Sequence, residues 1–129
     1  MFPKKILTLL ILLIISFSNI TKVYSIEPDV FVQSTVNRAS EALNDKFSKE
    51  EKIAKLKAIA KETVDITGIG FYTLGSYRKN ITDGQKEEYK NLFEQYFLKS
   101  FASRLAEYSN PEIEVISKKK LNQNYTMVF

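Results

Sequence analysis

The stretch 82-TDGQKEEYKNLFEQYFLKSFASRLAEY-108 decides the architecture, because it is the longest run in the chain with a helical apolar period. Thr82 followed three positions later by Gln85 is a capping signal and sets where the helix begins. At about 100° per residue, Tyr89, Phe93, Tyr96 and Ser100 fall within roughly 60° of one another. Leu92 lies on one flank of that stripe, Phe97 and Phe101 on the other. The face is wide and aromatic, and it drifts towards Leu105 and Tyr108 as the helix proceeds. A helix of this kind touches more than one neighbour or curves around something.

Upstream, residues 29–45 read as a first helix, with Val32, Val36, Ala39 and Leu43 on one side, Phe47 extending the stripe, and Asp29 after Pro28 as its cap. Ser48-Lys49-Glu50-Glu51 is a capping box that opens a second helix running to about Ile66. Ile53, Leu56, Ala60 and Val64 form its buried stripe, and Lys49, Lys52, Lys55 and Lys61 read as its solvated side. Thr67-Gly68-Ile69-Gly70 breaks the pattern, and residues 71–77 follow as a short helix or turn. Downstream of Asn110-Pro111 the period switches to two. Ile113, Val115 and Ser117 face one way and Glu112, Glu114 and Ile116 the other. Asn122-Gln123-Asn124 makes a turn, and residues 125–129 return as the second strand of a hairpin. Helices followed by a hairpin give an α+β fold whose sheet is only begun. The apolar run that ends on Phe129 is expected to be interrupted in mid-sheet.

At the other end, residues 1–25 have the layout of a secretory signal peptide. Lys4 and Lys5 form a basic start, residues 6–15 an apolar core broken by Thr8, and Val23-Tyr24-Ser25 a cleavage signal after Ser25. That core is too short to span a bilayer, which takes about 20 residues. The leader carries three lysines and no acid, so residues 26–129 hold 16 basic against 15 acidic residues. A balance so near neutral gives no reason to expect a nucleic-acid partner. One small domain, 26–129, is expected.

Chemistry is bounded by what is missing. With no Cys and no His in the chain, disulfides, thiolate chemistry, His-based nucleophile pairs and His metal sites are all excluded. Gly68-Ile69-Gly70 lacks both the third glycine and the preceding strand of a nucleotide loop. The carboxylates sit mostly on Lys-rich helix faces, where solvated ion pairs are the rule. Asp65 and Glu107 are the least surface-bound by pattern, and neither has an evident partner for acid–base work. No metal, cofactor or enzymatic activity is expected. Arg104 lies on the aromatic side of the long helix, where it either pairs with an acid such as Asp65 or offers a guanidinium to a phosphate.

The block Gly70-Phe71-Tyr72-Thr73-Leu74-Gly75-Ser76-Tyr77, then Leu92-Phe93-Glu94-Gln95-Tyr96-Phe97 and Ser100-Phe101-Ala102-Ser103-Arg104-Leu105, resembles the MlaC family. These are periplasmic phospholipid-binding proteins, also called toluene-tolerance auxiliary proteins. Arg78 stands where relatives often carry Trp, and Phe101 where they usually carry Tyr. The resemblance implies helices packed on a curved antiparallel sheet, of which this chain encodes the first hairpin, since family members continue past the position of residue 129. It implies a soluble periplasmic carrier that moves phospholipid between an outer-membrane lipoprotein complex and an inner-membrane ABC system of the MCE type, maintaining outer-membrane lipid asymmetry. Leu74, Phe93, Tyr96, Phe97, Phe101, Val115 and Met127 are the expected lipid-binding residues, and Arg104 the head-group candidate. The competing readings are an exported interaction or adaptor domain whose aromatic face is plain core, and after it a small α+β hydrolase or isomerase.

Overall fold

The computed structural model describes residues 25–129; the expected signal peptide, but for Ser25, lies outside the described residues. Helix α1 spans Pro28–Ala42, with Glu27 at the N-cap and Pro28 at the first helical position, where a missing N–H costs nothing. Asp29, expected as the cap, instead sits inside the first turn. There its carboxylate meets the positive end of the helix and accepts from Lys118 Nζ at 2.7 Å.

Helix α2, Lys49–Thr63, opens on the expected capping box. Ser48 Oγ accepts from the Glu51 amide at 3.2 Å, and the Ser48 amide donates to Glu51 Oε2 at 2.8 Å. It closes earlier than the sequence suggests, because Val64 turns extended and Asp65 caps a new helix by accepting from the Gly68 amide at 2.9 Å. That helix, α3, is Ile66–Thr73, so Gly68 and Gly70 lie within a helix and the break falls at Val64-Asp65. A short 3₁₀ turn, Gly75–Lys79, follows, with Gly75 at φ +55°. Helix α4, Asp83–Leu105, starts on a second capping box between Thr82 and Gln85 and ends three residues before Tyr108.

Helix α4 packs against both α2 and α3, and α2 packs on α1. One buried cluster joins Ala42 and Leu43 to Leu56 of α2 and to Ala102 and Ala106 at the end of α4. A second joins Ala60, Ile66 and Leu98, with Val64, Phe93, Phe97 and Phe101 packed round it. Lys52 belongs to the first core's edge rather than to a solvated face. It is 7% exposed, with its ammonium 3.6 Å from Asp45.

Strands β1 (Lys118–Lys120) and β2 (Thr126–Val128) pair antiparallel, with Lys119 opposite Met127. The turn is where the sequence puts it: Asn122 Oδ1 accepts from the amides of Asn124 and Tyr125 at 2.8 and 2.9 Å. The first strand is shorter and later than expected. Pairing begins where the Ile116 amide donates to the Phe129 carbonyl at 2.8 Å and the Phe129 amide to the Ser117 carbonyl at 2.9 Å, whereas the Ile113 and Val115 backbones face a side chain of α1 instead. Lys118 ties the hairpin to the start of α1 by bonding Glu27 and Asp29 together.

Candidate functional site

Positions four apart on a helix stack their side chains, and on α4 the sequence spends four such positions on rings. Tyr89 and Phe93 lie 5.8 Å apart by ring centroids, Phe93 and Phe97 6.2 Å, and Phe97 and Phe101 5.5 Å with planes only 11° apart. Phe71 of α3 continues the ladder at 6.5 Å from Tyr89. Its wet end is polar: the Tyr89 hydroxyl donates to the Gly70 carbonyl at 3.2 Å and lies 2.8 Å from the Thr73 hydroxyl. The other end of the ladder, Phe101, faces a cavity.

That cavity has a volume of about 180 Å³ and lies between α1, α2 and α4. Val36 and Ala39 line it from α1, Ile59 and Thr63 from α2, Phe101 and Leu105 from α4. Two of its residues are threonines, yet their hydroxyls are occupied. Thr35 Oγ1 donates to the Phe31 carbonyl at 2.9 Å and Thr63 Oγ1 to the Ile59 carbonyl at 2.8 Å. What remains for the cavity is methyl groups, so the wall has nothing to offer a polar ligand. Ile113, from the irregular segment before β1, lines it too while remaining 47% exposed, so this residue stands at the cavity's border with water. Between α1 and α2, the Arg38 guanidinium grips Glu62 in a two-bond fork at 3.0 and 2.6 Å. The pairing holds the Glu62 carboxyl below the usual carboxylate range and Arg38 above its own.

Of the residues named from sequence, Phe93, Phe97 and Phe101 stand together in the ladder, and Phe101 alone of the set borders the cavity. Leu74 is half-buried at the end of α3, and Val115 is half-buried before β1. Tyr96 is 69% exposed and Met127 44% exposed, so neither joins that wall in this structure. Arg104 is exposed and has no acid in ion-pair reach among the described residues; Asp65 is engaged as the cap of α3. Ile59, Thr63 and Ile113 escaped the reading of the sequence, as did Gln33, whose amide contacts the Ile113 and Val115 backbones. Ile59 and Thr63 were legible in principle, since each lies three or four positions from the stripe Leu56–Ala60–Val64 and simply widens it. Gln33 carries no such signal.

Among the described residues, no group of three or more His, Cys, Asp or Glu could hold a metal, and no helix is long and apolar enough to cross a membrane. No curated protein and no solved structure matched the chain. A family model described as "MlaC protein" matches residues 33–129, a span that takes in α1 from Gln33 on, the whole of α2, α3 and α4, the cavity, the ladder and the hairpin. The chain belongs to the MlaC family, a family of periplasmic phospholipid-binding proteins.

Proposed function

We propose that this protein is a soluble periplasmic carrier that takes a phospholipid by its acyl chains and moves it between an outer-membrane lipoprotein complex and an ABC-type transport system of the inner membrane. The observation that carries the reading is the apolar cavity walled by Phe101 and by threonines whose hydroxyls are turned away. Two sixteen-carbon chains bring some 30 methylenes, at about 0.8 kcal/mol each, so roughly 25 kcal/mol opposes their passage through water. A carrier must therefore enclose them, and leave the charged head group in solvent where desolvation would be costly.

The cavity's size sets the next requirement. An apolar space of about 150 Å³ is known to hold one benzene. About 180 Å³ therefore holds the end of one acyl chain, and a whole lipid needs the walls to part. The aromatic ladder is the surface along which they would do so, because Phe93 and Phe97 are already half-exposed and continuous with Phe101. In this reading Leu74, Phe93, Tyr96, Phe97, Phe101, Val115 and Met127 contact lipid and Arg104 meets the phosphate. In this reading cleavage falls after Ser25, and the lipid-binding domain begins at residue 26.

Extraction of the exported protein, followed by mass spectrometry of the extract, tests the proposal: phospholipid should co-purify near one per chain. Phe97→Asp should lose most of it while helix content, read by circular dichroism, stays nearly intact. Full occupancy in that variant, or no lipid in the parent protein, would favour the adaptor reading instead.

A further inference from the structure

The segment 111–117 between α4 and β1 is irregular, yet it holds Ile113 over the cavity. Its two ends are pinned. At one, Asn110 donates through its backbone to the Leu43 carbonyl at 3.2 Å and through Nδ2 to Asp45 at 2.6 Å. At the other, Ile116 and Ser117 enter the hairpin, which Lys118 moors to Glu27 and Asp29. Between them the backbone of residues 111–115 makes hydrogen bonds to a single side chain among the described residues, Gln33 of α1. Gln33 Oε1 accepts from the Val115 amide at 2.8 Å, and Gln33 Nε2 donates to the Ile113 carbonyl at 3.4 Å. One primary amide thus imitates the paired N–H and C=O of a neighbouring strand. Asn37, one turn on, fixes its orientation by accepting from the same Nε2 at 2.8 Å.

We propose that Gln33 is the latch of the cavity: its side-chain amide holds Ile113 in the closed position, and release of that amide admits the acyl chain. The cargo in this proposal rests on the phospholipid reading above; the motion does not. The geometry suits a latch rather than a weld. Ile113 is nearly half exposed, so lifting it forfeits little apolar burial, and of the two bonds that hold the segment one is short and the other long. Both pinned ends can stay in place while residues 111–115 swing out. Gln33 is a positioning residue here, acting on lipid through Ile113.

The test uses the full-length exported protein and two substitutions. Gln33→Leu keeps the bulk of the side chain and loses both bonds; Gln33→Glu keeps the acceptor for Val115 but loses the donor to Ile113. Amide hydrogen exchange read at Val115 should quicken about tenfold in Gln33→Leu and by less in Gln33→Glu, with the amides of α2 and α4 unchanged. Uptake of a pyrene-labelled phosphatidylglycerol from phosphatidylethanolamine–phosphatidylglycerol vesicles should quicken in the same order. Val115 exchange that stays at the parental rate in Gln33→Leu overturns the latch, as does a uniform rise across all helices, which is the mark of a merely structural residue. If the parent takes up no lipid while Val115 responds as expected, the phospholipid reading fails and the latch stands.

Discussion

At Gly70 the chain has room for a hydrogen and nothing more. A Cβ built there would lie 2.8 Å from Phe93 Cδ1, and behind Phe93 stands the rest of the ladder. Gly70→Ala gains up to about 1 kcal/mol of helix propensity. It must also push an aromatic ring, and overpacking of that sort costs about 1–3 kcal/mol. A net loss near 1 kcal/mol is expected, seen as a lower thermal midpoint and relieved in the double variant with Phe93→Leu. The sequence marked this glycine as a break because a Gly-x-Gly run usually ends a helix. Only the packing shows that here its use is closeness. Lys52 teaches the same lesson in reverse: by spacing it shares a face with solvated lysines, yet it is nearly sealed against Asp45. The hydrogen bond from Ser109, then the charge of Lys52, hold the Asp45 carboxyl below the ordinary range. Since burying an ammonium against a carboxylate that itself stays exposed gains little over an apolar group of similar shape, Lys52→Met should keep or raise the thermal midpoint. Asp45→Ala, which strands the ammonium, should lower it.

Helix beginnings were the most readable feature of the chain, because a capping box is a local bargain between residues three apart. Ser48 with Glu51 and Thr82 with Gln85 both close as their spacing implies. Ser48→Ala should cost about 1 kcal/mol, which in a domain of this size lowers the thermal midpoint by roughly 4–8 °C. Strand beginnings were less readable, since period two in residues 112–117 records which side chains face inward and not which backbone groups are paired. The hairpin's mooring was invisible altogether, for it joins residues 89 and 91 positions apart. Its pH dependence follows from the directions of two shifts. The hydrogen bond from Lys118 holds Asp29 below its ordinary 3.8, so this stabilisation is whole above about pH 4 and fades as pH falls through the lowered value. The bonds to Asp29 and Glu27 hold Lys118 above its ordinary 10.5, so its share is whole below that pH and fades as pH rises past the raised value. Protection of the hairpin amides, taken relative to intrinsic exchange at each pH, should therefore be level between pH 5 and 9 and fall below pH 4. It should also fall in 1 M salt, where exposed pairs are screened within about 3 Å. Protection that ignores both would mean the hairpin is held by its apolar contacts with α1 alone.

Across the whole molecule, the helices and the class of fold were legible because each is written in a local period, whereas the cavity arises only when three helices meet. The seven lipid-contact residues inferred from sequence show the difference. Phe93, Phe97 and Phe101 assemble because one helix spaces them, while Tyr96 and Met127 depend on partners that a period cannot specify. The helices come together through Ala42, Ala102 and Ala106, which are nearly or fully buried. Methyl-sized contacts let backbones approach closely, and any larger side chain would pry them apart. Val36 and Thr63, which wall the cavity, are branched and lie outside that alanine seam, and Ile59 packs against its edge while lining the cavity too. Seam and wall thus meet at residues such as Leu56 and Ile59 and differ in others. A lineage that exchanges Ile59 for valine widens the chamber by a methyl at a cost of about 0.5–1.5 kcal/mol, while the buried alanines that join the helices stay in place. The length of chain the protein accepts is then open to descent by single small steps, while its scaffold is closed to them.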